Sequence, residues 1–184
     1  RNSVLMRNLE LGLIQMGLSY QVFGGVSYLR RREIKDIIAY FKFIVNHDDV
    51  HSFQRIVNLP SRFIGDTTVN KVLEIRKKYH LNIFEAIDAC KTLIREKTYL
   101  ALVGFRNLIM ELKDMFESES LIAIYEMLLD KIKYREYLKQ EENYEERLEN
   151  IEEFKSILIQ IEEEGTDLSR LERLEAAFDD AILA

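Results

Sequence analysis

The 184 residues are 47% apolar and 32% charged, with seven glycines, one proline, one cysteine and a net charge of −6. That apolar share sustains the packed core of one large or two small domains, while so few Gly and Pro exclude long irregular loops and favour helices. A lone cysteine excludes an internal disulfide, and the absence of eighteen consecutive apolar residues or a secretory signal pattern predicts a soluble, cytoplasmic chain with no membrane partner.

In chain order, "SVLMRNLELGLIQMG" places Leu5, Leu9, Leu13 and Met16 on one helical face, with Gly17 as the stop. "LSYQVFGG" reads as a short strand ending in the flexible pair Gly24 and Gly25. "REIKDIIAYFKFIVN" then gives a wide apolar face through Ile34, Ile37, Ile38, Phe41, Ile44 and Val45. Asp48 or Asp49 can cap "DVHSFQRIVNL", which ends at Pro60. Four further helices are predicted in "DTTVNKVLEIRKKYH", "NIFEAIDACKTLIREK", "YLALVGFRNLIMELKDMFE" and "SLIAIYEMLLDKIKYREYLKQ". Cys90 lies in the apolar run of the second, which favours a buried structural thiol over a reactive one. A long acidic helix, a break at Gly165 and a short final helix complete an all-α reading. The chain opens with Arg1 instead of Met, which points to a piece of something longer.

Charge is unevenly distributed along this order. Residues 1–100 carry 16 Lys and Arg against 10 Asp and Glu, and residues 101–184 carry 10 against 22. A nucleic-acid-facing basic side would produce such a split, and so would two ordinary solvated faces. Enzyme motifs are missing: there is no G-x-x-x-x-G-K-[ST] loop, no G-x-G-x-x-G and no G-x-S-x-G. His47 and His51 have the spacing of a helical metal pair, but only one falls inside the predicted helix, so surface histidines are the better reading. Carboxylate pairs such as Glu141 and Glu142 sit in a run of charge and read as a solvated face.

"NLPSRFIGDTTVNKVLEIRKK" remains the strongest functional signal. A helix, a turn through Pro60 and Gly65, and a second helix beginning near Thr67 and Thr68 form a helix-hairpin-helix plan. Gly65 lets a backbone approach closely, the free N–H groups of a helix start meet a phosphate, and the helix dipole favours the anion. Thr67 and Thr68 can add hydroxyl hydrogen bonds, and Arg62 and Lys71 charge from either side. The competing reading is a capped helix start, with Asp66 or Thr67 as N-cap.

The run from Leu18 to Val72 resembles the passage from the 2A into the 2B domain of UvrD/PcrA/Rep-type superfamily 1 DNA helicases. The matching positions include Gly24, Gly25, Tyr28, Arg31, Glu33, Ile34, Lys35, Asp36, Ala39, Tyr40, Asn46, Asp49, Arg55, Asn58, Pro60, Arg62, Ile64, Gly65 and Thr68. Looser matches follow at Tyr134, Arg135, Arg147, Leu148, Glu149, Asn150 and Phe154, and earlier ones stand at Arg1, Arg7 and Glu10. The resemblance implies a multi-helix 2B-type accessory domain over residues 25–178. Residues 1–24 would be a 2A remnant with a hinge at Gly24 and Gly25, and residues 179–184 the return to 2A.

The same resemblance implies the role. Such a domain contacts duplex DNA and single-strand/duplex junctions without sequence preference and swivels against the parent's own 1A and 2A domains. The implied contacts are Arg62, Ile64, Gly65, Thr67, Thr68 and Lys71, supported by Arg76, Lys77 and Lys78. Phe63 stands where the family's duplex-contacting "GIG" element has its first glycine. No cofactor is expected in this piece, which lacks the phosphate-binding loop and the metal-binding Asp-Glu motif, whereas the intact 3'-5' helicase would use ATP and Mg2+. The alternative is a docking module that binds protein partners, or the parent's own domains, through the acidic helices from Glu141 to Glu164.

Overall fold

The computed structural model describes residues 26–163 and 169–183. Among them every regular element is a helix. In chain order these are α1 (Val26–Leu29), α2 (Arg32–Val45), α3 (Val50–Ile56), α4 (Asp66–Tyr79), α5 (Ile83–Ala89), α6 (Glu96–Asp114), α7 (Leu121–Ile132), α8 (Tyr134–Leu138), α9 (Tyr144–Glu163) and α10 (Arg170–Leu183). A single 3-10 turn, Met115–Glu117, follows α6. The strand expected before Gly24, the hinge pair Gly24 and Gly25, the helix expected before Gly17 and the break at Gly165 lie outside the described residues.

α2 is the axis of the fold, because apolar side chains surround it on nearly every side. It packs against α3 and α6 on one flank and α9 and α10 on the other. Phe43 meets Phe53, Phe84 and Phe105 at ring separations of 5.7, 6.0 and 5.7 Å. Two residues earlier, Phe41 turns to Tyr125 and Phe178 at 6.5 and 6.1 Å. One helix thus ties two aromatic clusters into a single core, each ring contributing a large apolar area and an edge or stacking contact. Cys90 is buried in that core, and burial pushes its thiol pKa up.

Buried polar groups on α2 fasten the later helices to it. Glu33 accepts from Arg147 Nη1 at 2.9 Å and from Asn150 Nδ2 at 2.7 Å. Tyr28 donates to the Asn150 carbonyl at 2.6 Å, and Arg31 to the Asn150 side-chain oxygen at 2.8 Å. Asp36 accepts from Arg55 Nε at 2.8 Å and from the Tyr134 hydroxyl at 2.8 Å. Buried carboxylates need such partners, since each unpaired one would cost several kcal/mol.

Three boundaries differ from the sequence reading. "SLIAIYEMLLDKIKYREYLKQ" is two helices, because Lys133 takes a left-handed conformation at φ 53° that ends α7 and starts α8. The helix expected to run from Asn82 to Lys97 stops at Ala89, and the chain turns before Glu96 begins α6, with Arg95 at its N-cap. No Gly or Pro marks either break, so the apolar spacing reads through both. At the start of α4 the N-cap is Gly65 with no side-chain cap, in place of Asp66 or Thr67.

Candidate nucleic-acid interface

The turn between α3 and α4 is held by side chains that fold it back on itself. Asn58 Oδ1 accepts from the backbone N–H of Arg62 at 2.8 Å and of Ile64 at 3.1 Å. The Leu59–Pro60 peptide is cis. Arg62 Nη1 lies 3.0 to 3.3 Å from the carbonyls of Ile56, Val57, Leu59 and Pro60, and Nη2 donates to the Tyr40 hydroxyl at 2.7 Å. These include carbonyls left open where α3 ends, which a cation satisfies well. The guanidinium also sits over the Phe105 ring at 5.3 Å. Tyr40 in turn donates to the Leu59 carbonyl, and burial pushes its pKa up to about 12 against the opposing charge of Arg62.

Arg62 is therefore drawn into the turn and toward the core, half-buried rather than enclosed. Ile64, only 1% exposed, is a core residue, so any contact it makes to a ligand is through its backbone. Replacing Arg62 by lysine is expected to lower stability by about 2 kcal/mol, because an ammonium cannot span several carbonyls, a hydroxyl and a ring at once. Urea unfolding measures this. An unchanged midpoint would mean that Asn58 alone holds the turn.

The braced turn exposes Asn58, Ser61, Phe63, Gly65, Asp66 and Thr67. Phe63 is 82% exposed and adopts φ 59°, the left-handed region that costs a bulky residue about 1 kcal/mol. Lys97 Nζ stands over its ring at 5.6 Å. Gly65 has φ −79° and ψ 163°, which any residue can adopt, and a Cβ there would meet nothing within 4 Å. The fold itself makes no demand for glycine at this position. The α4 start behind it exposes uncapped N–H groups, with the Thr67 side chain exposed and Thr68 half-buried; Asp66 is the one acidic residue of the first turn.

The remaining cations divide by position. Lys71 lies about one and a half helical turns from Gly65's end of α4 and pairs with Glu74 at 3.0 Å, a surface pair of small worth. Arg76 is held by Asp48 through two hydrogen bonds of 3.0 and 2.6 Å, and that contact holds the Asp48 carboxyl below the usual range. Lys77 and Lys78 are exposed at the far end of α4, about 20 Å along a 14-residue helix from the turn. There they complement the negative end of the helix dipole. The basic run is thus not brought together with the turn.

Other candidates from the sequence have structural places. His47 stacks on Phe84 at 4.8 Å, and burial with Lys113 nearby lowers its pKa. Asp49 is the α3 cap, accepting from the N–H of His51 and Ser52 at 3.0 and 3.2 Å. No cluster of His, Cys, Asp and Glu among the described residues could hold a metal ion, and no described helix is long and apolar enough to cross a membrane. Some carboxylates on and just before the acidic α9 are turned to the chain's own cations. Glu146 pairs with Arg31 at 2.6 Å, Glu152 with Arg135 at 3.0 Å, and Glu141 just before the helix with Arg32 at 3.0 Å.

The family model of the UvrD-like helicase C-terminal domain matches residues 1–181. The chain is 38% identical over 144 residues to the ATP-dependent DNA helicase PcrA of Bacillus subtilis (strain 168), covering 78% of this chain and 20% of that protein. Identity to the ATP-dependent DNA helicase Rep of Buchnera aphidicola is 32% over 145 residues, 76% of this chain and 22% of the relative. Identity to DNA helicase II of Escherichia coli (strain K12) is 36% over 104 residues, 56% of this chain and 14% of the relative. The chain spans about a fifth of the length of the first two of these curated relatives.

Proposed function

This chain belongs to the family of UvrD-like helicase C-terminal domains, and we propose that it is the 2B-type accessory domain of an ATP-dependent DNA helicase. In this reading residues 25–178 form the domain, residues 1–24 carry a 2A remnant, and the domain swivels about Gly24 and Gly25 to regulate unwinding. ATP and Mg2+ belong to the motor parts of the longer protein. The turn before α4 meets the duplex backbone. The observation that supports this most directly is the uncapped start of α4 behind Gly65, where open space stands in front of a backbone that the fold does not require to be glycine.

Roles follow from position. Gly65 and Thr67 offer backbone N–H groups, and Thr67 and Thr68 hydroxyl groups, to one phosphate, with Lys71 supplying charge about one and a half turns further along the helix. Arg62 and Ile64 hold the turn in the shape that presents those donors. Contacts of this kind read no base edge, so binding is independent of sequence. The alternative, docking through the acidic helices, is weakened because several of the carboxylates on and just before α9 are already paired within the chain.

The test is fluorescence anisotropy of the chain with a 3'-tailed duplex across a salt series, beside Lys71→Ala. Binding should weaken steeply with salt, and the variant should lower the slope of log K against log salt by about one. Absence of binding at low salt, or a salt-independent affinity, would remove the duplex-backbone reading.

A further inference from the structure

We infer that Phe63 stacks on the nucleobase face exposed at a single-strand/duplex junction, with Lys97 drawing the adjoining phosphate. The inference rests on the duplex-contact reading of the same turn and adds to it the feature of DNA that the turn prefers.

Phe63 is the residue least explained by folding. Its ring is 82% exposed, so it adds little to the core, and its backbone is in the left-handed region. Gly at this position would relieve the strain and remove the exposed ring together. Retention of a costly conformation at an exposed tip points to a use outside the fold. Lys97 holds the ring outward through a cation–π contact at 5.6 Å, which fixes its orientation before any ligand arrives. The α6 face below the ring carries Lys97, Leu100 and Gly104 at three- and four-residue spacing; Leu100 is exposed, and a Cβ on Gly104 would meet nothing within 4 Å. An open groove of about 510 Å³, lined in part by Pro60, Arg62 and Gly104, continues from there.

An aromatic ring, a cation and bare backbone beside an uncapped helix start fit a nucleic acid better than an apolar peptide. The ring supplies a stacking platform that accepts any base, and the lysine and helix start supply sites for phosphate. Entry into intact duplex would require unstacking a base step, whereas a junction already exposes one base face. The geometry therefore favours the junction over the duplex body.

The test compares a 3'-tailed duplex with a covalently closed circular duplex that has no ends and no unpaired bases, each titrated by anisotropy with the wild-type chain, Phe63→Gly and Phe63→Tyr. Glycine suits the left-handed backbone, so that variant folds. Wild type should prefer the tailed duplex, Phe63→Gly should lose about tenfold on that substrate and nothing on the closed circle, and Phe63→Tyr should retain the preference. Equal binding of Phe63→Gly and wild type to both substrates overturns the stacking. So does an equal loss on both. Failure of wild type to bind either DNA overturns the duplex-contact reading itself, and the stacking with it.

Discussion

Replacing Arg55 by methionine is expected to destabilise the chain by about 3 kcal/mol at neutral pH, and by less as the pH is lowered. Arg55 holds Asp36 through Nε at 2.8 Å and Nη2 at 2.6 Å. The Asp36 side chain is only 3% exposed, so methionine would keep the packing of the stem while leaving a buried carboxylate with the Tyr134 hydroxyl as its main donor. Breaking such a pair costs about 3 to 5 kcal/mol; the lower end applies because Arg55 is 37% exposed and water can enter the vacated space.

The pH dependence has a defined sign. Burial already raises the Asp36 pKa above the ordinary value, and Arg55 and Tyr134 oppose that rise. Without Arg55 the rise is larger. A carboxyl whose folded pKa exceeds its unfolded one binds its proton more tightly when folded. Its favourable contribution is present below the unfolded pKa and is lost as pH climbs through the folded one. The deficit of Arg55→Met relative to wild type should therefore shrink on acidification from neutral pH toward the ordinary Asp pKa. Chemical unfolding at several pH values measures it, and a deficit that does not change with pH would show that lost packing, not the buried charge, is the cause.

This pair also shows how far the sequence could be read. The apolar spacing of "REIKDIIAYFKFIVN" located α2 and the buried set that makes it the axis, because a helix wrapped on all sides leaves a dense periodic signal. It could not assign the polar residues between. Glu33, Asp36, Arg55 and Asn150 stand among the family-pattern positions, and their partners lie as far as 122 residues away in sequence. Pairings at that range follow from packing and leave no local trace. The turn before α4 divides in the same way. Pro60 and Gly65 marked it, but of the residues grouped with the DNA contacts Ile64 is a core side chain and Arg62 is half-buried and bonded within the turn, while Phe63 stands exposed. A bulky residue in a glycine position was visible in the sequence; its left-handed backbone and its contact with Lys97 were not. The charge split between the halves is partly internal complementarity, since Arg31 and Arg32 near the start of α2 are neutralised by Glu146 and Glu141.

Replacing Gly65 by valine is expected to weaken duplex binding by about ten- to a hundredfold while lowering stability by no more than about 1 kcal/mol. The two effects separate because of where the glycine stands. Its φ of −79° is open to a β-branched residue, and its Cβ direction meets nothing of this chain within 4 Å, so the folded state has room for the new side chain. The stability loss comes only from valine's poorer performance as an N-cap. A phosphate approaching the first N–H groups of α4 has no such room: two added methyl groups hold it beyond hydrogen-bond distance, and charge-assisted hydrogen bonds fall away steeply with distance. Anisotropy with a tailed duplex and urea unfolding on the same preparation give both numbers. Gly65→Ala should fall between wild type and valine, since one methyl obstructs less than an isopropyl group. Unchanged duplex affinity in a folded Gly65→Val chain would move the contact away from this turn. Loss of both affinity and fold would mean that the space in front of Gly65 is filled by the chain itself.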